Sequence, residues 1–174
     1  MSRNVEIKAR LLGIQDILHK VVGIADQGPI EIAQDDTFFG CDTGRLKLRQ
    51  FSADKGELIF YRRTNQAGPK ESFFVRSSTA EPAALREVLS FAYGQSGRVI
   101  KQRTLFLAGR TRIHLDRVQG LGEFLELEVV LSEGDSIEDG IREAEDIMQK
   151  LGIEPSQLIE SAYVDLLGIA PEGS

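Results

Sequence analysis

Charged residues recur at every second position along several stretches of this chain. Arg45, Lys47 and Arg49 alternate with Leu46 and Leu48, Lys101 and Arg103 repeat the pattern, and Arg62 and Arg112 add to it. Glu6 is in phase with Lys8 and Arg10, Glu126 and Glu128 flank Leu127, and Asp116 is in phase with His114 and Arg112. Residues two apart on a strand share a face at about 7 Å intervals, so each stretch carries its charge on one side. Carboxylates on neighbouring strands can meet around a hard cation such as Mg²⁺ or Mn²⁺, which prefers oxygen ligands. Arginine forks and lysine point charges hold phosphate oxygens. Neither set alone is specific; together they point to a metal–triphosphate complex.

Each feature also has a plainer reading. Any single alternating strand is ordinary for a sheet with one wet face. Glu6–Lys8 as a surface pair is worth only roughly 0.2–1 kcal/mol, and Glu126 and Glu128 fit a solvated edge. His114 fits a structural hydrogen bond better than a proton shuttle, and His19 lies beside a helical stripe. Gly120-Leu121-Gly122 is too short for a phosphate loop and reads as a turn, and Cys41 reads as a small filler beside another. What strains the plain reading is the row of like charges on one face, which repel one another unless a polyanion compensates them.

The elements that must position these residues are mostly strands. Besides the stretches around 5–10 and 45–49, strands are predicted at 32–39, 57–63, 71–76, 99–107, 111–118 and 123–131. Turns fall at Asp42-Thr43-Gly44, Asp54-Lys55-Gly56 and Ala108-Gly109. Three apolar stripes have helical spacing: Ile14, Ile17, Leu18, Val21 and Val22; Leu85, Val88, Leu89 and Ala92, with Pro82 near the first turn; and Ile137, Ile141, Ala144, Ile147 and Leu151. The third is entered through Asp135 with Glu138 three residues on. A last helix is predicted over 157–167. The fold class is α+β, a mainly antiparallel sheet with helices outside. If the apolar sides of the strands face those helices, the charged sides face water or the inside of a closed barrel. Eight strands leave room for one small ligand.

The bulk composition is that of an ordinary folded domain: 174 residues, 41% hydrophobic and 28% charged. One domain over 1–174 is expected, without repeats or linkers. The apolar runs are strand-sized, no signal-peptide core opens the chain, and a single cysteine rules out an intrachain disulfide; the expected location is cytoplasmic. The net charge of −6 argues against coating nucleic acid. That sum hides segregation, with most Arg and Lys in 1–63 and 98–117 and a strongly acidic 123–146.

The opening Glu6-Ile7-Lys8 resembles the first strand of the CYTH, or triphosphate tunnel metalloenzyme, superfamily. The resemblance continues through Gly44-Arg45-Leu46-Lys47-Leu48-Arg49, Leu58-Ile59-Phe60-Tyr61-Arg62-Arg63, Val99-Ile100-Lys101-Gln102-Arg103 and Arg112-Ile113-His114-Leu115-Asp116. It ends with Gly120-Leu121-Gly122-Glu123-Phe124-Leu125-Glu126-Leu127-Glu128. It therefore spans nearly the whole chain, nearest the branch that includes class IV adenylate cyclases. It implies an eight-stranded antiparallel β-barrel, or tunnel, that binds a triphosphate with Mg²⁺ or Mn²⁺. By position it implies Glu6, Glu126 and Glu128 as metal ligands. Lys8, Arg49, Arg62, Lys101 and Arg103 correspond to phosphate-holding residues, with Arg45, Lys47, Lys70 and Arg112 as weaker correspondences. Lys8, Arg49, Lys101, Arg103 and Asp116 are the catalytic candidates. Asn4 stands where the family motif has its first Glu; an amide oxygen brings no charge, which leaves one metal or two open.

Two reactions fit such a site. A triphosphatase directs water at the terminal phosphorus of tripolyphosphate, a nucleoside triphosphate or thiamine triphosphate. A cyclase directs the ribose 3′-hydroxyl of ATP at the α-phosphorus and releases pyrophosphate. A non-catalytic polyphosphate- or RNA-binding module is the reading of another class. Only 7% of residues are aromatic, and carboxylates suit a nucleic-acid groove poorly. The expected partner is a small-molecule triphosphate, with no membrane and no nucleic acid. A homodimer is compatible with the sequence but not required by it.

Overall fold

The computed structural model describes residues 2–63 and 66–169. Eight strands follow in order: β1 (Ser2–Leu11), β2 (Gln27–Phe39), β3 (Arg45–Ser52), β4 (Lys55–Arg63), β5 (Lys70–Thr79), β6 (Gln95–Ala108), β7 (Thr111–Val118) and β8 (Gly122–Leu131). Among the described residues there are four α-helices: α1 (Gln15–Ile24), α2 (Pro82–Tyr93), α3 (Ile137–Leu151) and α4 (Tyr163–Ile169). The strands form a closed barrel in the order β1-β5-β4-β3-β2-β6-β7-β8, and every pairing is antiparallel. The period-two pattern builds this barrel with its usual polarity reversed: charge points inward, and the apolar side faces the helices.

Three outer cores result, one of them Val5, Val129 and Leu131 against Ala144 of α3. Ile7, Ala9, Ile113, Leu115, Leu125 and Leu127 meet Ile17 and Val21 of α1 and Ile147 and Leu151 of α3. Leu48 and Phe39 meet Leu89 of α2. Inside one end of the barrel, Phe38, Val99, Val118 and Phe124 meet Tyr163 and Val164 of α4. Helix α3 starts one residue later than its acidic entry suggests. Ser136 is the N-cap, its side chain accepting from the Asp139 N–H, while Asp135 turns back to accept from the Ser132 N–H and from Arg110. Gly140 lets α3 settle on the sheet: a Cβ there would stand 2.7 Å from Val5 Cγ2 and 3.0 Å from Leu131 Cδ2.

The last helix departs most from expectation. A short 3₁₀ turn covers Pro155–Gln157, the chain then runs extended, and α4 starts only at Tyr163. The cause is the edge of β1. Its pairing with β5 ends at Glu6, so the later backbone of β1 is open on that side. Leu158 bridges Ala9 there, and the Ile159 N–H donates to the Lys8 carbonyl at 3.0 Å. Residues 158–163 thus form a strap across one end of the barrel, with α4 beyond it. Val164 presses so close to Gly97 of β6 that no side chain fits at that glycine.

Candidate active site

The barrel encloses a cavity of about 410 Å³. Its lining includes eight cationic side chains (Lys8, Lys47, Arg49, Arg63, Arg76, Lys101, Arg103 and Arg112) and five carboxylates (Glu6, Asp36, Glu57, Glu126 and Glu128). The chain as a whole carries −6, so its interior has the opposite sign to its exterior. Low-dielectric walls of one sign focus the field on a ligand of the other, here an anion. A shallower groove of about 760 Å³, walled on the outside of the barrel by Ala33, Asp35, Ile100 and Arg117, offers no comparable set.

Strand register decides which charges meet. Glu6 lies opposite Glu128, and Lys8 opposite Glu126, where β1 pairs with β8. On the other side of β8, Glu128 faces Arg112 and Glu126 faces His114. His114, Glu126 and Glu128 each offer one ligand atom, all within 4.8 Å of one another. The His114 Nδ1 is buried and has no hydrogen-bond partner. Burial first, and then the facing Glu128, raises the Glu6 carboxyl above its ordinary range, with Arg63 at 3.3 Å working the other way. Crowded carboxylates beside an unpartnered imidazole nitrogen form a donor set that fits a divalent cation.

The neighbouring charges are tightly tied. Arg103 donates to both oxygens of Asp116, at 2.7 and 2.8 Å, and to Glu126 at 2.7 Å. Lys8 lies 3.3 Å from Glu126. Burial alone would raise the Glu126 carboxyl, but Lys8, Arg103 and His114 together hold it well below its usual range. Burial lowers Lys8 to about 8, against the pull of Glu126 in the other direction. Asp116 is fully buried and accepts a further bond from the Tyr163 hydroxyl at 2.9 Å, which places it behind Arg103.

On the opposite wall Asp36 gathers three cations. Arg49 donates to its two oxygens at 2.8 Å each, Lys101 approaches to 3.3 Å and Lys47 to 3.7 Å. Burial opposes ionisation of Asp36, yet Arg49, Lys101 and Lys47 hold its carboxyl well below the usual range.

Of the residues singled out from the sequence, the cavity brings together Glu6, Lys8, Lys47, Arg49, Lys101, Arg103, Arg112, Glu126 and Glu128. Four lie elsewhere, Asp116 among them, fully buried behind Arg103 and not part of the cavity lining. Arg62 is exposed on the outside of the barrel, its guanidinium over the rings of Phe60 (5.3 Å) and Phe73 (5.8 Å); its neighbour Arg63 points inward instead. Arg45 is bound to Asp165 of α4 at 2.6 Å. Lys70 is buried and donates to the carbonyls of Gln66 and Glu160, at 3.1 and 3.0 Å. Among the inward residues that escaped the sequence reading are Arg63, Arg76, Asp36, Glu57 and Tyr163. For Arg63 the signal was slight: Leu58 and Phe60 share the parity of Arg62, but Ile59 and Tyr61 share that of Arg63, and only Glu57 marks the inward row as charged. Asp36 carries no such signal, because the apolar Phe38 two residues on points inward with it. Tyr163 carries none, since the strap, not periodicity, brings it to the tunnel.

The family profile of the CYTH domain matches residues 2–163. The chain belongs to the CYTH family. Solved structures share its fold at low identity. The PH1012 protein of Pyrococcus horikoshii OT3 superposes with a TM-score of 0.82 at 22% identity, covering 94% of this chain and 98% of its own. A candidate adenylate cyclase from Vibrio parahaemolyticus gives 0.77 at 18% identity, covering 95% and 97%. HpAC1 from Hippeastrum, a candidate adenylyl cyclase described as having a dominant triphosphatase activity, gives 0.65 at 15% identity, covering 96% and 94%. No curated protein matches the sequence. Among the described residues of this CYTH chain, no helix is long and apolar enough to cross a membrane.

Proposed function

We propose that this CYTH chain is a divalent-metal-dependent enzyme that hydrolyses a triphosphate held inside the barrel. One observation carries the reading. A single buried chamber places a carboxylate and imidazole group (Glu6, Glu126, Glu128 and His114) beside an excess of inward cations. Inorganic or organic anions in general need only the cations; a polyphosphate that travels with a divalent ion needs both. The family supports the same reading, as does the triphosphatase activity described for HpAC1.

Glu6, Glu126, Glu128 and His114 would hold Mg²⁺ or Mn²⁺, which neutralises phosphate oxygens and polarises water when bound. Lys8, Arg103, Lys101, Arg49 and Arg63 neutralise the remaining phosphate charge and fix the chain of phosphorus atoms in line for attack. Asp116 and Tyr163 hold the plane of Arg103 so that its charge is in place before the substrate arrives. The barrel wall keeps bulk water from screening these charges.

The test is product analysis by phosphorus NMR, with purified protein, Mg²⁺ or Mn²⁺, and tripolyphosphate or ATP. Orthophosphate release from either substrate is the expected result. Pyrophosphate with a cyclic nucleotide from ATP would make the chain a cyclase. Binding without turnover would make it a polyphosphate-binding module.

A further inference from the structure

A carboxylate in the phosphate-facing wall of an anion tunnel needs a reason, and Asp36 is such a carboxylate. It is 1% exposed and stands on β2 between the two strands that supply its partners. Arg49 lies directly opposite it across β3, with Lys47 on the diagonal; Lys101 comes from β6, diagonally from its partner Val99. Three cations thus converge on one anion at 2.8, 3.3 and 3.7 Å, and all four residues line the cavity. Asp36 lies outside the cluster of Glu126, Glu128 and His114, and both its oxygens are taken by cations, so it is poorly placed to ligate a metal. A site built only for tight polyphosphate binding would leave this position neutral.

We infer that Asp36 is a resident counter-anion: it holds Arg49, Lys47 and Lys101 in position in the empty tunnel and weakens their grip on polyphosphate. Two effects oppose each other when its charge is removed. Loss of the bidentate anchor frees Arg49 to wander, which weakens binding. Loss of the negative charge removes repulsion against every phosphate within several ångströms. At about 6 Å and an effective dielectric of about 20, one charge pair is worth more than the ordering of one side chain, so the charge wins. Asp36 is then a positioning residue that trades affinity for release.

The inference rests on the triphosphate reading, and the experiment separates the two. Tripolyphosphate and inorganic pyrophosphate are titrated calorimetrically into the full chain, with and without Mg²⁺, for wild type, Asp36→Asn and Asp36→Glu. Steady-state turnover of tripolyphosphate is measured in parallel. Asp36→Asn is expected to bind tripolyphosphate about tenfold tighter or more, and to show lower KM together with lower kcat. It is also expected to melt earlier than wild type without anion, with the gap closing at saturating tripolyphosphate. Asp36→Glu keeps the charge and the fold, and is expected to bind no tighter than wild type. Equal or weaker binding by Asp36→Asn overturns the inference while leaving the triphosphate reading intact. If Asp36→Asn does not fold, tighter binding by Asp36→Glu overturns it instead. Failure of wild type to bind tripolyphosphate at all removes the functional reading, and the inference with it.

Discussion

Replacing Glu126 or Glu6 by Gln removes one carboxylate charge from the same cluster, yet the two changes are expected to act on stability in different ways. Glu126 compensates two buried cations, Lys8 at 3.3 Å and Arg103 at 2.7 Å. Arg103 keeps Asp116 when Glu126 is neutralised; among the described residues Lys8 keeps the Ser161 carbonyl at 3.4 Å and the Tyr163 ring. Breaking a buried ion pair by removing one partner costs about 3–5 kcal/mol, and the partners that remain put Glu126→Gln near the lower end, about 3 kcal/mol. For a chain of this size that lowers Tm by about 6–12 °C. Glu6 is the reverse case. Burial and Glu128 already push its carboxyl toward the neutral form, so Glu6→Gln loses the Arg63 contact but relieves repulsion, a net change within about 1 kcal/mol. Both variants are expected to lose metal-dependent turnover. Thermal melts followed by circular dichroism, with and without tripolyphosphate, check the contrast, and tripolyphosphate should recover part of the Glu126→Gln loss by supplying the missing anion. Equal Tm values for the two variants would refute the assignment of Glu126 as the counter-charge of Lys8 and Arg103.

Three further outcomes are expected. Lys101→Ala should weaken tripolyphosphate binding about tenfold or more and flatten its salt dependence, because it deletes one charge-assisted contact; isothermal titration at two ionic strengths measures both. Lys8, lowered to about 8 in the empty tunnel against about 10.4 in an unfolded chain, loses its charge as pH rises through about 8. Between those values the unfolded chain holds more protons, so the metal-free protein gains stability with rising pH. Polyphosphate favours the ammonium, so its binding at about pH 9 should take up protons and weaken as pH climbs, an effect that titrations in buffers of different ionisation enthalpy would show and that Lys8→Met should reduce, burial having lowered Lys47 and Lys101 as well. Tyr163→Phe removes the hydroxyl bond to fully buried Asp116 and should cost about 1–3 kcal/mol in a denaturant melt, while Tyr163→Leu should cost more because the ring also covers Lys8 at 4.0 Å.

Much of the barrel was legible because period two is a strong signal and here carries charge instead of mild polarity. All eight strands lie where the alternation puts them, although β2 and β6 run longer than their alternating cores. Inwardness was harder to read. Two adjacent arginines, Arg62 and Arg63, are indistinguishable by type, and each has apolar residues in phase, so only Glu57, in phase with Arg63, marks the inward row. Asp36 was hidden beside Asp35, which makes an ordinary surface pair with Arg98 at 2.6 Å. The strap was illegible for another reason. Its backbone hydrogen bonds go to the open edge of β1, and no local pattern records that a distant edge is vacant.

That strap has a consequence for traffic. Residues 158–163 cross one end of the barrel, with Ala162, Tyr163 and Val164 forming part of the cavity wall and Lys8 and Lys70 fastened to strap carbonyls. A passage obstructed at one end works as a cul-de-sac: molecules leave by the way they came, in a queue. On the proposed hydrolysis, the fragment nearer the strap would not depart until the fragment nearer the mouth had gone. The two products would then inhibit unequally, one competing with incoming substrate and the other detained behind it.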